Sequence, residues 1–83
     1  MLLIEFTIEP FVEGNPGPHV TAAVAAAEAL GVVVEWGPFG SSCTVSTQQV
    51  ASVAGAILAA AFEHGATHVS LHTALADAAE VGR

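Results

Sequence analysis

"IEFTIEPFVEGNPGPH", residues 4–19, holds a strand, a stop and a helix start in immediate succession. Ile4, Phe6 and Ile8 alternate with Glu5, Thr7 and Glu9, and Leu3 joins the second set. Period-two alternation of this kind predicts a strand over 2–9 with one face buried and one face polar. Pro10 cannot donate to a sheet ladder and ends the pairing. "PFVEGNPGP" is loop by composition, with Gly14-Asn15 as a turn. Pro18 suits the first helical position, with Gly17 before it. The loop is expected to stop the strand sharply and to wall whatever space the polar face encloses.

Reading outward, a helix is predicted over 18–30, with Val20, Val24 and Ala27 on its inner stripe. Gly31 stops it, and Val32, Val33 and Val34 start a second strand. "GPFG" (37–40) gives a hairpin turn and "SSCTV" (41–45) the return strand. "STQQ" (46–49) reads as a capping box: the Ser46 hydroxyl accepts from the Gln49 amide and the Gln49 side chain reaches back. The helix it opens runs to about His64. Val50, Val53, Ile57, Leu58 and Ala61 form its inner stripe, and Ala51, Ser52, Gly55, Ala56 and Ala59 form a small, almost uncharged outer face. That outer face reads either as Ala-rich helix propensity or as a subunit contact. Gly65 ends the helix, with His64 at the negative end of its dipole. "THVSLHT" (67–73) is the last strand, Val69 and Leu71 facing in and His68, Ser70 and His72 facing out. The tail "ALADAAEVGR" has some helical character.

The order β-α-β-β-α-β is the split βαβ, or ferredoxin-like, plan: an α+β sandwich of four antiparallel strands with two helices on one face. The first and third strands are central and the last lies beside the first. Because each strand's apolar set must meet the helices, the open sheet face receives Glu5, Thr7 and Glu9 beside His68, Ser70 and His72. The chain reads as one domain, 1–83, with its core in 2–73 and a short tail over 74–83.

Eighty-three residues make a small domain with a marginal core, and a single cysteine, Cys43, rules out an internal disulfide. Apolar residues are 53% of the chain and charged residues only 11%, against roughly 25% in an ordinary domain, so self-association as dimer or tetramer is expected. The net charge is −7 and Arg83 is the sole Lys or Arg. Nucleic acid is excluded as a partner, since phosphate contacts need Lys and Arg, and anionic membranes are excluded with it. A cationic ligand suits the field, although acidity also serves solubility alone. No targeting segment is visible and the longest apolar run, 50–62, is too short to span a bilayer, so a cytoplasmic location is expected.

"EFTIEPFVEG", the loop leading to a helix, the hairpin "GPFGS" and the closing "THVSLHT" resemble the thiamine-binding protein family of YkoF-like and MTH1187-like ferredoxin-like domains. The resemblance spans about residues 3–72. It implies a non-catalytic, oligomeric binder of thiamine or its hydroxymethylpyrimidine moiety. The chain departs from that family after the hairpin turn, where Thr44 and Val45 stand in place of an acid and a glycine, and in its short tail.

Thiamine presents a permanent thiazolium cation, a flat aminopyrimidine and a hydroxyethyl group. Glu5 and Glu9 offer the anion. They share a sheet face about 13 Å apart, so each would meet a cation or amino group separately, or stand simply solvated. Phe11, Trp36 and Phe39 offer stacking surfaces, or packing at a subunit contact. Thr7, Ser41, Ser42, Thr44 and Ser70 supply hydroxyls, and His72 lies on the same open face. With no lysine and one arginine, unphosphorylated thiamine is preferred over the diphosphate. No cofactor is expected. A structural or regulatory oligomer without thiamine affinity is the alternative. A metal site is a further one, but His68 and His72 are too far apart for one ion, so it needs a histidine with a glutamate across the ladder or a symmetry mate. His19, near a helix start, is expected to be exposed. Hydrolase chemistry lacks its parts: there is no G-x-S-x-G, and Cys43 has no basic neighbour to lower its pKa.

Overall fold

The structure, a computed structural model, describes residues 1–11, 15–37 and 40–76. Phe39, Gly14 of the expected turn, and the tail from residue 77 onward lie outside the described residues.

The elements follow the expected order: β1 (Leu2–Glu9), α1 (Pro18–Glu28), β2 (Val34–Trp36), β3 (Ser41–Val45), α2 (Val50–Glu63) and β4 (His68–Leu75). They form one antiparallel sheet in the order β2-β3-β1-β4, with β1 and β3 central. This is the ferredoxin-like α+β sandwich. β1 alternates as its sequence requires: Ile4, Phe6 and Ile8 are buried, and Glu5, Thr7 and Glu9 are exposed. The buried set meets Val53, Ile57 and Ala61 of α2 and Ala23, Val24 and Ala27 of α1 in one hydrophobic cluster. Val45 and Cys43 bring β3 into it. Among the described residues, no helix is long and apolar enough to cross a membrane.

The helix boundaries have local causes. Pro18 occupies the start of α1 behind Gly17, where its missing N–H costs nothing. Gly31 and Gly65 carry positive φ, +89° and +105°, and each follows a helix end. Non-glycine residues pay for that conformation, so glycine is the natural stop. His64 closes α2 with its Nδ1 2.9 Å from the Ala60 carbonyl oxygen.

Several details differ from the sequence reading. α1 ends at Glu28, and a turn carries the chain to Gly31. β2 begins at Val34, because only there does the chain fall into register opposite Cys43. β4 runs two residues beyond Thr73, since its ladder with β1 continues to Leu2 opposite Leu75. The capping box forms by another arrangement. The Ser46 backbone N–H and hydroxyl both donate to Gln49 Oε1, at 3.1 Å each, while the Gln49 N–H donates to the Ser46 carbonyl. The side-chain hydroxyl therefore points at the glutamine instead of capping an amide. Leu58 is only half-buried and stands outside the core cluster.

His19 is the clearest correction. It is 8% exposed, and its Nε2 donates to the Pro10 carbonyl at 2.6 Å. Its ring lies back over Gly17, where an added Cβ would stand 2.6 Å from ring Cε1. Glycine at 17 makes room for the imidazole, and the imidazole satisfies a carbonyl that would otherwise lose its partner at the end of β1. The Glu9 carbonyl is held from the other side by the backbone N–H of Thr67 at 2.8 Å.

Candidate functional site

The helices cover one face of the sheet, and no described element covers the other. Strand register decides what meets there. Glu5 of β1 lies directly opposite His72 of β4 on one side and Ser42 of β3 on the other. Ser42 in turn lies opposite Glu35 of β2. His72, Glu5, Ser42 and Glu35 thus form one row across all four strands. Directly opposite side chains in an antiparallel pair have Cβ atoms about 4.5–5.5 Å apart. The two carboxylates of the row begin two strand spacings apart, roughly 9.5 Å, with the serine hydroxyl between them. Along β1 and β4 the open-face pairs continue as Thr7 opposite Ser70 and Glu9 opposite His68.

The row forms part of a depression of ≈ 600 Å³ between the sheet and the start of the hairpin. Glu5, Thr7, Ser70 and His72 line it, as do Glu35 and Trp36 of the edge strand. Its volume falls within the range of small-molecule pockets, about 300–1,000 Å³. Gly40 shapes the hairpin side. A Cβ there would lie 2.8 Å from Thr7 Cγ2 and 2.9 Å from the Phe6 carbonyl oxygen, so the hairpin approaches β1 at a distance only glycine permits. The Gly37 N–H donates to the Gly40 carbonyl at 2.6 Å and closes the turn.

The carboxylates of Glu5 and Glu35 set the sign of the field at this depression. The only Lys or Arg of the chain, Arg83, lies outside the described residues, and Glu5 and Glu35 are both exposed. In the core beneath, burial pushes the Cys43 thiol above its ordinary value of 9.0, so the thiol is neutral and inert at neutral pH. Among the described residues, no group of three or more His, Cys, Asp or Glu is gathered to hold a metal. The glutamate-with-histidine arrangement that a metal would need across the ladder does occur, twice, as separate pairs: Glu5 with His72 and Glu9 with His68.

Of the residues read from the sequence, Glu5, Thr7, Trp36, Ser41, Ser70 and His72 border this depression. Ser41 does so without offering its side chain to the open face. It pairs with Phe6, a buried position, and is itself 8% exposed. Trp36 shares that parity through its pairing with Ser41, yet on the edge strand it is 53% exposed and forms the rim, not the floor. Thr44 lies opposite Leu3 and borders a neighbouring depression instead. Glu9 sits beyond the depression, at the end of the β1–β4 ladder. Phe11 is exposed and does not line it. None of the described residues of the loop after β1 lines it either, because His19 and Thr67 tie the end of β1 to the helix start and to the β4 entry. Among the described residues, the wall of the depression comes from Gly37 and Gly40 of the hairpin. Glu35 is the residue sequence reasoning missed. Its signal was present in "VEW", where a lone carboxylate alternates with Val34, and in the hairpin register that sets it opposite Ser42.

Fold and face together define a ferredoxin-like domain with an open, acidic, hydroxyl-bearing sheet surface. Among solved structures the chain is similar to a domain of unknown function, DUF77, from Bacillus cereus. Their TM-score is 0.63 at 18% identity, covering 88% of this chain and 71% of that one. It is also similar to a protein of Streptococcus pneumoniae solved by X-ray crystallography, with a TM-score of 0.64 at 14% identity, covering 99% and 98% of the two chains. No family model and no curated protein matches the chain. At these identities the likeness establishes the fold and leaves the ligand to the chemistry of the face.

Proposed function

We propose that this chain is a non-catalytic binding protein for a small organic cation, thiamine or its hydroxymethylpyrimidine moiety, held on the open sheet face of a homo-oligomer. One observation carries the reading: the row His72–Glu5–Ser42–Glu35 borders a pocket-sized depression with two carboxylates and no described Lys or Arg. A thiazolium or a protonated amine neutralises charge there, and Trp36 at the rim offers an aromatic surface to a flat ring. Ser42, Ser70 and Thr7 supply the hydrogen bonds that fix orientation. Self-association is favoured by exposed large apolar residues away from both depressions, including Leu30, Phe62 and Leu75, on a chain with few charges. The diphosphate form is disfavoured, because its negative charge meets a face bearing two carboxylates and no described Lys or Arg.

The test is calorimetric titration of metal-stripped protein with thiamine, with thiamine diphosphate and zinc as parallel titrants. Saturable heat with thiamine, at one or one-half equivalent per chain, is the expected result. Tighter binding of the diphosphate in metal-free buffer would contradict the electrostatic reading. Absence of heat at millimolar thiamine would leave an oligomeric domain without thiamine affinity as the better account, and heat with zinc alone would favour a metal site.

A further inference from the structure

A second depression, of ≈ 530 Å³, adjoins the first. Leu3, Val33, Thr44 and Gln49 line it, and Met1 stands at its end. Leu3 and Thr44 belong to the open face, being paired with each other one step along the strands from Glu5 and Ser42. Glu35 and Ser42 border both depressions, whereas Glu5, Trp36 and His72 border only the first. The Ser42–Glu35 end of the row is therefore the divide between two hollows, and Glu35 is the carboxylate common to both.

We infer that Glu35 is the residue that selects the ligand class: it holds the charge of an organic cation bearing a substituent on each side of that charge, one in each depression. This rests on the binding reading above and deepens it. The two hollows suit different substituents. The first combines Glu5, Ser70 and His72 with the Trp36 rim, which fits a flat ring carrying hydrogen-bonding groups. The second is walled by Leu3, Val33 and Met1 with Thr44 and Gln49 alongside, which fits a short aliphatic arm ending in a hydroxyl. A cation over Glu35 lies between them. Glu5, two strands away, is left to meet a donor group of the ring. Thiamine has this form: a thiazolium with a pyrimidine arm on one side and a hydroxyethyl arm on the other. Its pyrimidine fragment alone lacks both the charge and the second arm.

The experiment titrates thiamine and hydroxymethylpyrimidine into the wild-type protein and into Glu35→Gln, Glu5→Gln and Val33→Trp. All three positions are exposed, Val33 at 78%, so folded variants are expected, and circular dichroism verifies this. Glu35→Gln should weaken thiamine about tenfold or more, the scale of losing a charge-assisted contact, and leave hydroxymethylpyrimidine within about twofold of wild type. Val33→Trp, which crowds only the second hollow, should show the same selectivity. Glu5→Gln should weaken both ligands. Wild-type binding of thiamine with Glu35→Gln unchanged, or an equal loss of both ligands in Glu35→Gln, would overturn this assignment while leaving the binding reading intact. Binding of neither ligand by the wild type would overturn both.

Discussion

The two faces of β1 are built from the same eight residues and meet opposite environments. On one side Ile4, Phe6 and Ile8 are 0%, 3% and 4% exposed, locked against two helices. On the other, Glu5, Thr7 and Glu9 are exposed and face no helix, with their ladder neighbours beside them and Gly40 of the hairpin against Thr7. The first face has many neighbours and no charge; the second has charge and few neighbours. In a domain this small the difference divides labour within a single strand. Stability resides on the helix side, where each methylene removed from water counts, and the open side is free to carry chemistry at little cost to folding.

That division makes the core the place of largest effect. Ile57→Ala removes a fully buried side chain between α2 and the sheet and should destabilise the fold by about 2–5 kcal/mol. Urea denaturation measures it. A loss near zero would mean that the helices do not hold the sheet as described.

Gly40→Ala lies at the boundary between the two regions. One of the atoms its Cβ would meet is the Phe6 backbone carbonyl, which cannot swing aside. An expected loss of about 1–3 kcal/mol should accompany a reshaped depression. An alanine tolerated without change in the urea midpoint would show that the hairpin can retreat from β1.

A smaller effect separates the core from its surface by pH. Burial holds the Cys43 thiol above 9.0 in the folded protein, so the unfolded chain gives up its proton first. Stability from this source is complete below about pH 9 and declines as pH rises toward the folded value. The chain has no tyrosine, and its one Lys-or-Arg residue is Arg83, so no other side chain titrates in that window. Cys43→Ala should abolish the decline in urea midpoint between pH 8.5 and pH 10.5. A decline that persists in the variant would assign it elsewhere.

Much of this architecture was legible in the residues. The alternation of Ile4, Phe6 and Ile8 with Glu5 and Thr7 identified β1 and its two faces, and Gly31 and Gly65 marked both helix ends. Glu5, Thr7, Ser70 and His72 could be grouped because period two and strand order together set which side chains share a face. What escaped the sequence depended on contacts between distant segments. His19 reads as an exposed helix-start residue until Gly17 is seen to leave space for its ring and the Pro10 carbonyl to need its proton. Glu35 draws no notice in the sequence until the hairpin register sets it opposite Ser42. Ser41 reads as one more hydroxyl until its pairing with Phe6 buries it. Periodicity assigns a residue to a face, but only register says which residues meet there.

The smallest expected change in stability belongs to Glu5→Gln, and it tests the central claim most directly. Thiamine affinity and urea midpoint are measured on the same preparation of the variant. A stability within about 0.5 kcal/mol of wild type, together with thiamine affinity reduced about tenfold or more, is the predicted result. Unchanged affinity would remove Glu5 from any binding role, and a stability loss on the scale of Ile57→Ala would contradict the division between the two faces of β1.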